Sequence, residues 1–171
     1  TMDEYNKLKN KQKELEKLIF NIKPQAVMHF AALTEVARSI REPDRFYANN
    51  VIGSLHLIQA IKKYQQTLTQ TNDNTPPFLP SIDPSVVRFI FSSTAAVYAN
   101  PGNNKVTEDS LIDPLTPYGK SKKMVEDILT DFHKSSLNES GVDKNYLPTI
   151  ILRYFNVAGA SLDNRMGQVG D

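Results

Sequence analysis

The chain has 171 residues, of which 40% are hydrophobic and 23% are charged, a composition typical of a globular domain with one core. Its 20 basic and 19 acidic side chains give a formal net charge of +1, so we expect no nucleic-acid partner. The sequence has no cysteine, which excludes disulfides and thiolate chemistry. No apolar run approaches the ~20 residues of a membrane helix, so we expect no membrane partner and a cytoplasmic location.

Apolar residues recur at helical spacing in three segments and form short continuous runs in three others. The spacing predicts helices over 2–20, 44–64 and 118–134. The apolar runs predict strands over 26–30, 86–91 and 148–154, of which the first has the character of a buried parallel strand. Alternating helices and strands indicate an α/β fold with a parallel sheet, in which ligands bind at the carboxyl ends of the strands.

Residues 65–85 break this alternation. They are rich in threonine, glutamine, asparagine and aspartate and contain four prolines, a composition typical of a surface loop. Because the alternation resumes afterwards, we interpret the segment as an insertion within one domain spanning 1–171, and not as a linker between domains. A second loop is expected around Asn138 and Gly141, and no regular element is predicted over 158–171.

Tyr118 and Lys122 form the strongest candidate pair for chemistry. They lie four residues apart in a predicted helix, so both side chains lie on one helical face. An ammonium group near a tyrosine favours the phenolate form, which can exchange a proton with a substrate hydroxyl. Tyrosine four residues before lysine is also common by chance, and a solvated helix face explains the spacing when the pair is considered alone.

Three hydroxyl side chains, Ser92, Ser93 and Thr94, follow the second predicted strand. Thr94 can hydrogen-bond a reacting oxygen, although hydroxyls at a strand end also commonly satisfy a turn. A strand-end hydroxyl together with a helical tyrosine–lysine pair suggests hydride-transfer chemistry beside a nicotinamide. The three histidines lack metal-ligand spacing, and His29 is expected to pack in its strand.

Five short motifs follow one another along the chain. They are HFAAL at 29–33, NNV at 49–51, FSSTAAVY at 91–98, PYGKSK at 117–122 and RYFNVAGA at 153–160. In this order they resemble the successive signatures of UDP-glucose 4-epimerases, which belong to the extended short-chain dehydrogenase/reductase family. The resemblance runs from about Pro24 to Gln168 and is interrupted mainly by residues 65–85.

The resemblance implies a role for each matching residue. Tyr118 would be the acid–base for the sugar 4-hydroxyl, Lys122 would bind the nicotinamide ribose, and Thr94 would hold the 4-oxygen. The residues that would bind the cofactor NAD are Phe30, Ala31, Ala32, Asn50, Ser92, Tyr118, Lys122 and Tyr154. The residues that would bind the UDP-sugar are Thr94, Tyr118 and Asn156.

The implied activity is the interconversion of UDP-glucose and UDP-galactose, an isomerase reaction of galactose metabolism that passes through a 4-keto sugar. NAD would take a hydride from carbon 4 and return it to the opposite face, without net oxidation. Related 4,6-dehydratases carry an acidic pair directly after the threonine, where this chain has Ala95 and Ala96, so the resemblance favours an epimerase. An epimerase or dehydratase for another nucleotide sugar is the alternative within the family.

The sequence departs from this family at both ends. The glycine-rich turn that cradles the pyrophosphate is not found, and most of the substrate domain would lie beyond Asp171. The expected fold is therefore a partial Rossmann-like, doubly wound parallel sheet that lacks its N-terminal glycine-rich βαβ unit. We expect this chain alone to bind NAD weakly and to turn over little substrate. The alternative functions are a non-catalytic remnant and a subunit that needs a second polypeptide. The expected protein partners are a second copy, in a homodimer, or a complementing polypeptide.

Overall fold

A computed structural model describes residues 2–71, 86–99, 102, 105–138, 141–142 and 146–156. Its helices are α1 (Met2–Ile22), α2 (Val36–Arg41), α3 (Pro43–Phe46), α4 (Gly53–Thr71) and α5 (Pro117–Ser135). Its strands are β1 (Ala26–His29), β2 (Arg88–Thr94), β3 (Leu137–Asn138), β4 (Gly141–Val142) and β5 (Thr149–Tyr154). A π-helical segment, Tyr47–Ile52, joins α3 to α4, and a 3-10 turn, Ala95–Val97, follows β2.

Strands β1, β2 and β5 form one parallel sheet in that order. Helices connect them in the sequence, which confirms the predicted α/β class with a parallel sheet. The register pairs His29 with Phe91 and Thr94 with Tyr154, so the carboxyl ends of β2 and β5 are level. The residues that follow the strands therefore gather along one edge of the sheet.

The core lies on one face of this sheet. Alternate residues of β2 are buried, and Phe89 and Phe91 pack with apolar side chains of α4 and α5, among them Ile58, Ile61 and Val125. Each aromatic side chain removed from water contributes on the order of 1.5–3 kcal/mol to stability. The described helices pack on this face, so they provide one half of a doubly wound arrangement.

The opposite face of the sheet is apolar and open in the part of the chain that the structure describes. Met28 of β1 and Ile150 of β5 are 58% and 57% exposed, and both stand in register with Ile90. The prediction that the first strand is buried was therefore wrong. β1 is an outer strand of the described sheet and packs on one face only, so its residues are exposed or half-buried.

The helix predicted over 44–64 is present but is longer and less regular than the sequence indicated. It starts at Pro43, widens into the π-helical segment, and continues through Gln65 to Thr71. Gln65 was predicted to begin the loop, but its side chain is fully buried. Its amide donates to the Tyr146 carbonyl at 2.7 Å and accepts from the Val87 N–H at 3.2 Å, which extends the helix against the sheet. Residues 72–85 lie outside the described residues.

Short elements and the last residues of the chain also bear on the sequence predictions. The short helix α2 was not predicted, and the expected loop around Asn138 and Gly141 contains the antiparallel pair β3–β4. The residues expected to be irregular at 158–171 lie outside the described part of the chain. None of the described helices combines the length and the apolarity needed to cross a bilayer.

Candidate active site

The first turn of α5 is held close to the end of β2. Thr116 is the N-cap residue, and its hydroxyl accepts from the Gly119 N–H at 3.2 Å, while Pro117 occupies the first helical position. A Cβ on Gly119 would lie 2.4 Å from the carbonyl oxygen of Ala96, so only glycine permits this approach. The helix therefore presents Tyr118, which is buried, beside the turn that follows Thr94.

Lys122 is the most unusual charged side chain near this edge. It is 3% exposed, and its Nζ donates to the backbone carbonyl of Ser92 at 2.8 Å. The same atom lies 5.0 Å from the centroid of the Phe91 ring, a cation–π contact. Burial lowers the pKa of Lys122 to about 8, because the charged form loses its hydration. Tyr118 and Lys122 are both buried, so the alternative interpretation of this helical face as a solvated surface is wrong.

Thr94 has a structural contact of its own. Its hydroxyl oxygen accepts from the Ala96 N–H at 3.1 Å and caps the 3-10 turn. This is the turn-satisfying contact that strand-end hydroxyls commonly make, yet the oxygen still carries a proton that it can donate. Thr94 is nearly buried and directly opposite Tyr154 in the register of β2 and β5. The same geometry is therefore compatible with a Thr94 hydroxyl that caps the turn and with one that also holds a reacting oxygen.

Asn50 links the loop after β1 to α5. It is almost fully buried, and its amide accepts from the Leu33 N–H at 2.9 Å and donates to the Leu33 carbonyl at 3.0 Å. It also donates to the Ser121 hydroxyl at 3.0 Å, and Ser121 donates in turn to the Tyr118 carbonyl at 2.7 Å. The amide thereby fixes the residues after β1 relative to the helix turn that carries Tyr118.

The role of Ser121 in this chain of bonds was not predicted. The sequence offered one signal, since Ser121 lies inside the PYGKSK motif between Tyr118 and Lys122. Its buried partner, however, comes from a helix 71 residues away, a separation that sequence spacing cannot reveal.

Phe30, Ala31, Tyr154 and Asn156 form the outer part of the edge. Phe30 is half-exposed, and its ring centroid lies 6.2 Å from that of Tyr154. Ala31 and Asn156 are exposed, whereas Ala32 is half-buried. These residues border the buried ones on the solvent side, where a ligand can reach them.

His29 packs in its strand, as predicted. Its ring lies about 6 Å from the rings of Phe89 and Phe91, and its Nε2 is 2.8 Å from the Ser54 hydroxyl. Burial, reinforced by the Lys122 charge, lowers the pKa of His29 to about 4, so the imidazole is neutral at neutral pH. Across the described residues, no cluster of histidine and acidic side chains could hold a metal ion.

Comparison with known proteins gives a consistent set of relatives. A family model described as GDP-mannose 4,6 dehydratase matches residues 5–167. UDP-glucose 4-epimerase of Rhizobium meliloti is 34% identical over 157 residues, which are 92% of this chain and 39% of that protein. A probable UDP-arabinose 4-epimerase of Oryza sativa is 36% identical over 143 residues, covering 84% of this chain and 28% of the relative.

The fold agrees with these sequence matches. The crystal structure of UDP-glucose 4-epimerase from Brucella ovis in complex with NAD superposes with a TM-score of 0.71 at 29% identity. The match covers 93% of this chain and 40% of that structure. The chain thus spans about two-fifths of the length of the UDP-glucose 4-epimerases of Rhizobium meliloti and Brucella ovis, and a smaller share of the Oryza sativa relative. The relatives that the chain resembles are nucleotide-sugar 4-epimerases. Because the family model matches nearly all of its residues, the chain belongs to the family described as GDP-mannose 4,6 dehydratase.

Proposed function

We propose that this chain carries the acid–base edge of an NAD-dependent 4-epimerase whose substrates are UDP-glucose and UDP-galactose. One observation carries the proposal: a lysine and a tyrosine one helical turn apart are both buried at the carboxyl edge of a parallel sheet. Burying an ammonium is costly, and buried groups with a lowered pKa are concentrated at functional sites. The hydrogen bond to the Ser92 carbonyl holds the Lys122 ammonium at the end of β2. The relatives are UDP-glucose 4-epimerases, and 4-epimerisation is a reaction that a buried tyrosine–lysine pair can support.

The residues at this edge have the chemistry that the nicotinamide half of NAD requires. Lys122 would bind the ribose hydroxyls, Ser92 would lie on the same side, and Tyr154 and Phe30 would border the ring. Small or exposed residues after β1, Ala31 and Ala32, leave room for the cofactor to approach the backbone. The chemistry that NAD supplies when bound is reversible hydride transfer at carbon 4 of the sugar.

The protein's own part in the reaction is proton transfer and orientation. Tyr118, as the phenolate, would take the proton of the 4-hydroxyl while a hydride leaves carbon 4, and would return that proton when the hydride comes back to the opposite face. Thr94 would donate its hydroxyl proton to the 4-oxygen, and Asn156 would contact the sugar nucleotide from the exposed side.

An epimerase accounts for the residues after Thr94 better than a dehydratase does. Elimination of water across carbons 5 and 6 needs a further acid and base close to the hydroxyl that holds the 4-oxygen. Ala95 and Ala96 occupy the turn there and carry neither.

The reaction class is tested with UDP-galactose that carries deuterium at carbon 4, incubated with the purified chain and added NAD. Because the hydride returns to the carbon that it left, the UDP-glucose formed should retain the deuterium. Product that has lost the label to water would contradict hydride transfer and would indicate proton abstraction instead. UDP-arabinose and a UDP-N-acetylhexosamine assayed in parallel rank the sugars, and a 4-keto-6-deoxy product would indicate a dehydratase.

A second candidate function is that of a subunit complemented by another polypeptide. The observation that favours it is the open sheet face on which Met28 and Ile150 are more than half exposed. If this face needs a cover, the isolated chain should melt without cooperativity, convert no UDP-galactose, and run on gel filtration larger than a monomer. A sharp melt of a monomeric and active chain would contradict this candidate.

A further inference from the structure

A buried ion pair joins α5 to the last residues of β5. Arg153 donates from Nε to Glu126 Oε1 at 3.0 Å and from Nη2 to Glu126 Oε2 at 2.8 Å, the two-point geometry that a guanidinium makes with a carboxylate. The Glu126 side chain is 4% exposed and that of Arg153 is 23% exposed. The hydrogen bond with Glu126 is the main reason why the pKa of Arg153 lies above its ordinary value.

Two further side chains complete this group. The Ser93 hydroxyl donates to Glu126 Oε1, and Arg153 Nη1 donates to the Tyr98 hydroxyl at 2.9 Å. The guanidinium carbon also lies 4.9 Å from the centroid of the Tyr98 ring. In the described part of the chain, no buried side-chain nitrogen or oxygen lacks a hydrogen-bond partner, so the network is fully satisfied.

Three of these four residues, Ser93, Glu126 and Arg153, are neighbours of residues in the candidate active site. Ser93 lies between Ser92, which accepts from Lys122, and Thr94. Glu126 is one helical turn after Lys122 on the same face of α5, and Arg153 directly precedes Tyr154. The network therefore joins the three elements that supply the site, at a distance of one residue or one turn from it.

We propose that Glu126, Arg153, Ser93 and Tyr98 are positioning residues that hold α5 in register with the ends of β2 and β5. Through this contact the Lys122 Nζ keeps its hydrogen bond to the Ser92 carbonyl. The catalytic role of that hydrogen bond rests on the proposed function, whereas the hydrogen bond itself is a property of the folded chain. An ion pair that merely stabilised the fold would lower the melting temperature when disrupted and leave the surroundings of Lys122 unchanged.

The test is an NMR titration of lysine-labelled protein, in which the Lys122 signal is identified by its loss in Lys122→Met. The variant Arg153→Lys keeps the charge but loses the two-point geometry. In wild type the Lys122 titration midpoint should be about 8. In Arg153→Lys it should rise by about one unit toward the value of ~10.4 of a hydrated lysine, because a loosened helix admits water.

The matched control is the neighbouring ion pair of the same helix, between Lys123 and Asp127, which lies toward solvent. Asp127→Asn should leave the Lys122 midpoint where it is in wild type. If Arg153→Lys does not fold, Tyr98→Phe decides, since it removes one hydrogen bond and keeps the ring, and it should shift the midpoint in the same direction. A wild-type midpoint in the folded variant would overturn the proposal. The titration uses neither NAD nor a sugar, so the absence of epimerase activity would count against the proposed function alone.

Discussion

Lys122 donates from its Nζ to the backbone carbonyl of Ser92 at 2.8 Å, so the ammonium is anchored at the end of β2 while almost fully buried. Burial lowers its pKa from 10.5 to about 8. The side chain is therefore mostly charged at pH 7 and mostly neutral at pH 9.

The stability of the chain should depend on pH through Lys122. Its pKa is lower in the folded than in the unfolded chain, so between pH 8 and pH 10 the unfolded chain binds more protons and folding becomes more favourable as pH rises. Relative to Lys122→Met, wild type should gain up to about 2–3 kcal/mol across this range. Urea unfolding at each pH measures the difference, and Lys123→Met is the control. Parallel pH profiles of wild type and Lys122→Met would contradict the burial argument.

His29 should make the chain sensitive to acid. Its pKa is lowered to about 4 in the folded chain, so between pH 6.5 and pH 4 the unfolded chain binds the proton and stability is lost as pH falls. We expect a loss of up to about 3 kcal/mol across this window in wild type. His29→Gln should flatten the profile, whereas His133→Gln, on the exposed side of α5, should retain it. A steep acid slope that survives in His29→Gln would refute the assignment.

Two glycines of helices should respond in opposite directions to the same substitution. Gly119→Ala places a Cβ 2.4 Å from the Ala96 carbonyl oxygen, so the start of α5 must move and stability should fall by about 1–3 kcal/mol. A Cβ on Gly53 would meet no heavy atom within 4 Å, so Gly53→Ala should raise stability by about 0.5–1 kcal/mol. Thermal melts of the two variants measure both changes in stability. A stabilising effect of Gly119→Ala would show that α5 does not approach the Ala96 carbonyl closely.

Adjacent asparagines offer a similar comparison. Asn50→Ala removes the buried amide that bonds Leu33 and Ser121 and takes a partner from the half-buried N–H and carbonyl of Leu33, at a cost of about 2–3 kcal/mol. Asn49 is exposed and donates a single bond to the Asn50 side chain, so Asn49→Ala should cost less than about 1 kcal/mol. Denaturant unfolding compares the two, and equal losses would mean that the loop after β1 is not fixed by Asn50.

The sequence predicted the order of the long helices and of the three strands of the parallel sheet, and it predicted the edge of the sheet where the candidate site residues lie. Helical spacing and apolar runs are local properties, so helices over 117–135 and 43–71 and the strands β2 and β5 were largely recovered. The spacing of Tyr118 and Lys122 placed both on one helical face, whereas their burial depends on how the helix packs. The family motifs then supplied roles that spacing cannot assign.

What the sequence did not predict arises from contacts between distant residues. The π-helical segment holds Asn50 where its amide bonds Leu33, a contact between residues 17 apart that local spacing does not encode. Gln65 reads as a loop residue by composition, yet it is buried through bonds to the chain beside β2 and β5. The exposure of Met28 depends on the place of β1 in the sheet, which a local apolar run does not encode.

The proposed role of Tyr118 as the acid–base of a nucleotide-sugar 4-epimerase is tested by measuring conversion of UDP-galactose to UDP-glucose by the purified chain with saturating NAD. Wild type is compared with Tyr118→Phe, which keeps the ring and removes the hydroxyl, and with Tyr47→Phe as the matched control on another helix. We expect slow conversion by wild type and by Tyr47→Phe, and a rate lower by about 10²–10⁴-fold in Tyr118→Phe. Equal rates of conversion by wild type and Tyr118→Phe would show that Tyr118 is not the acid–base.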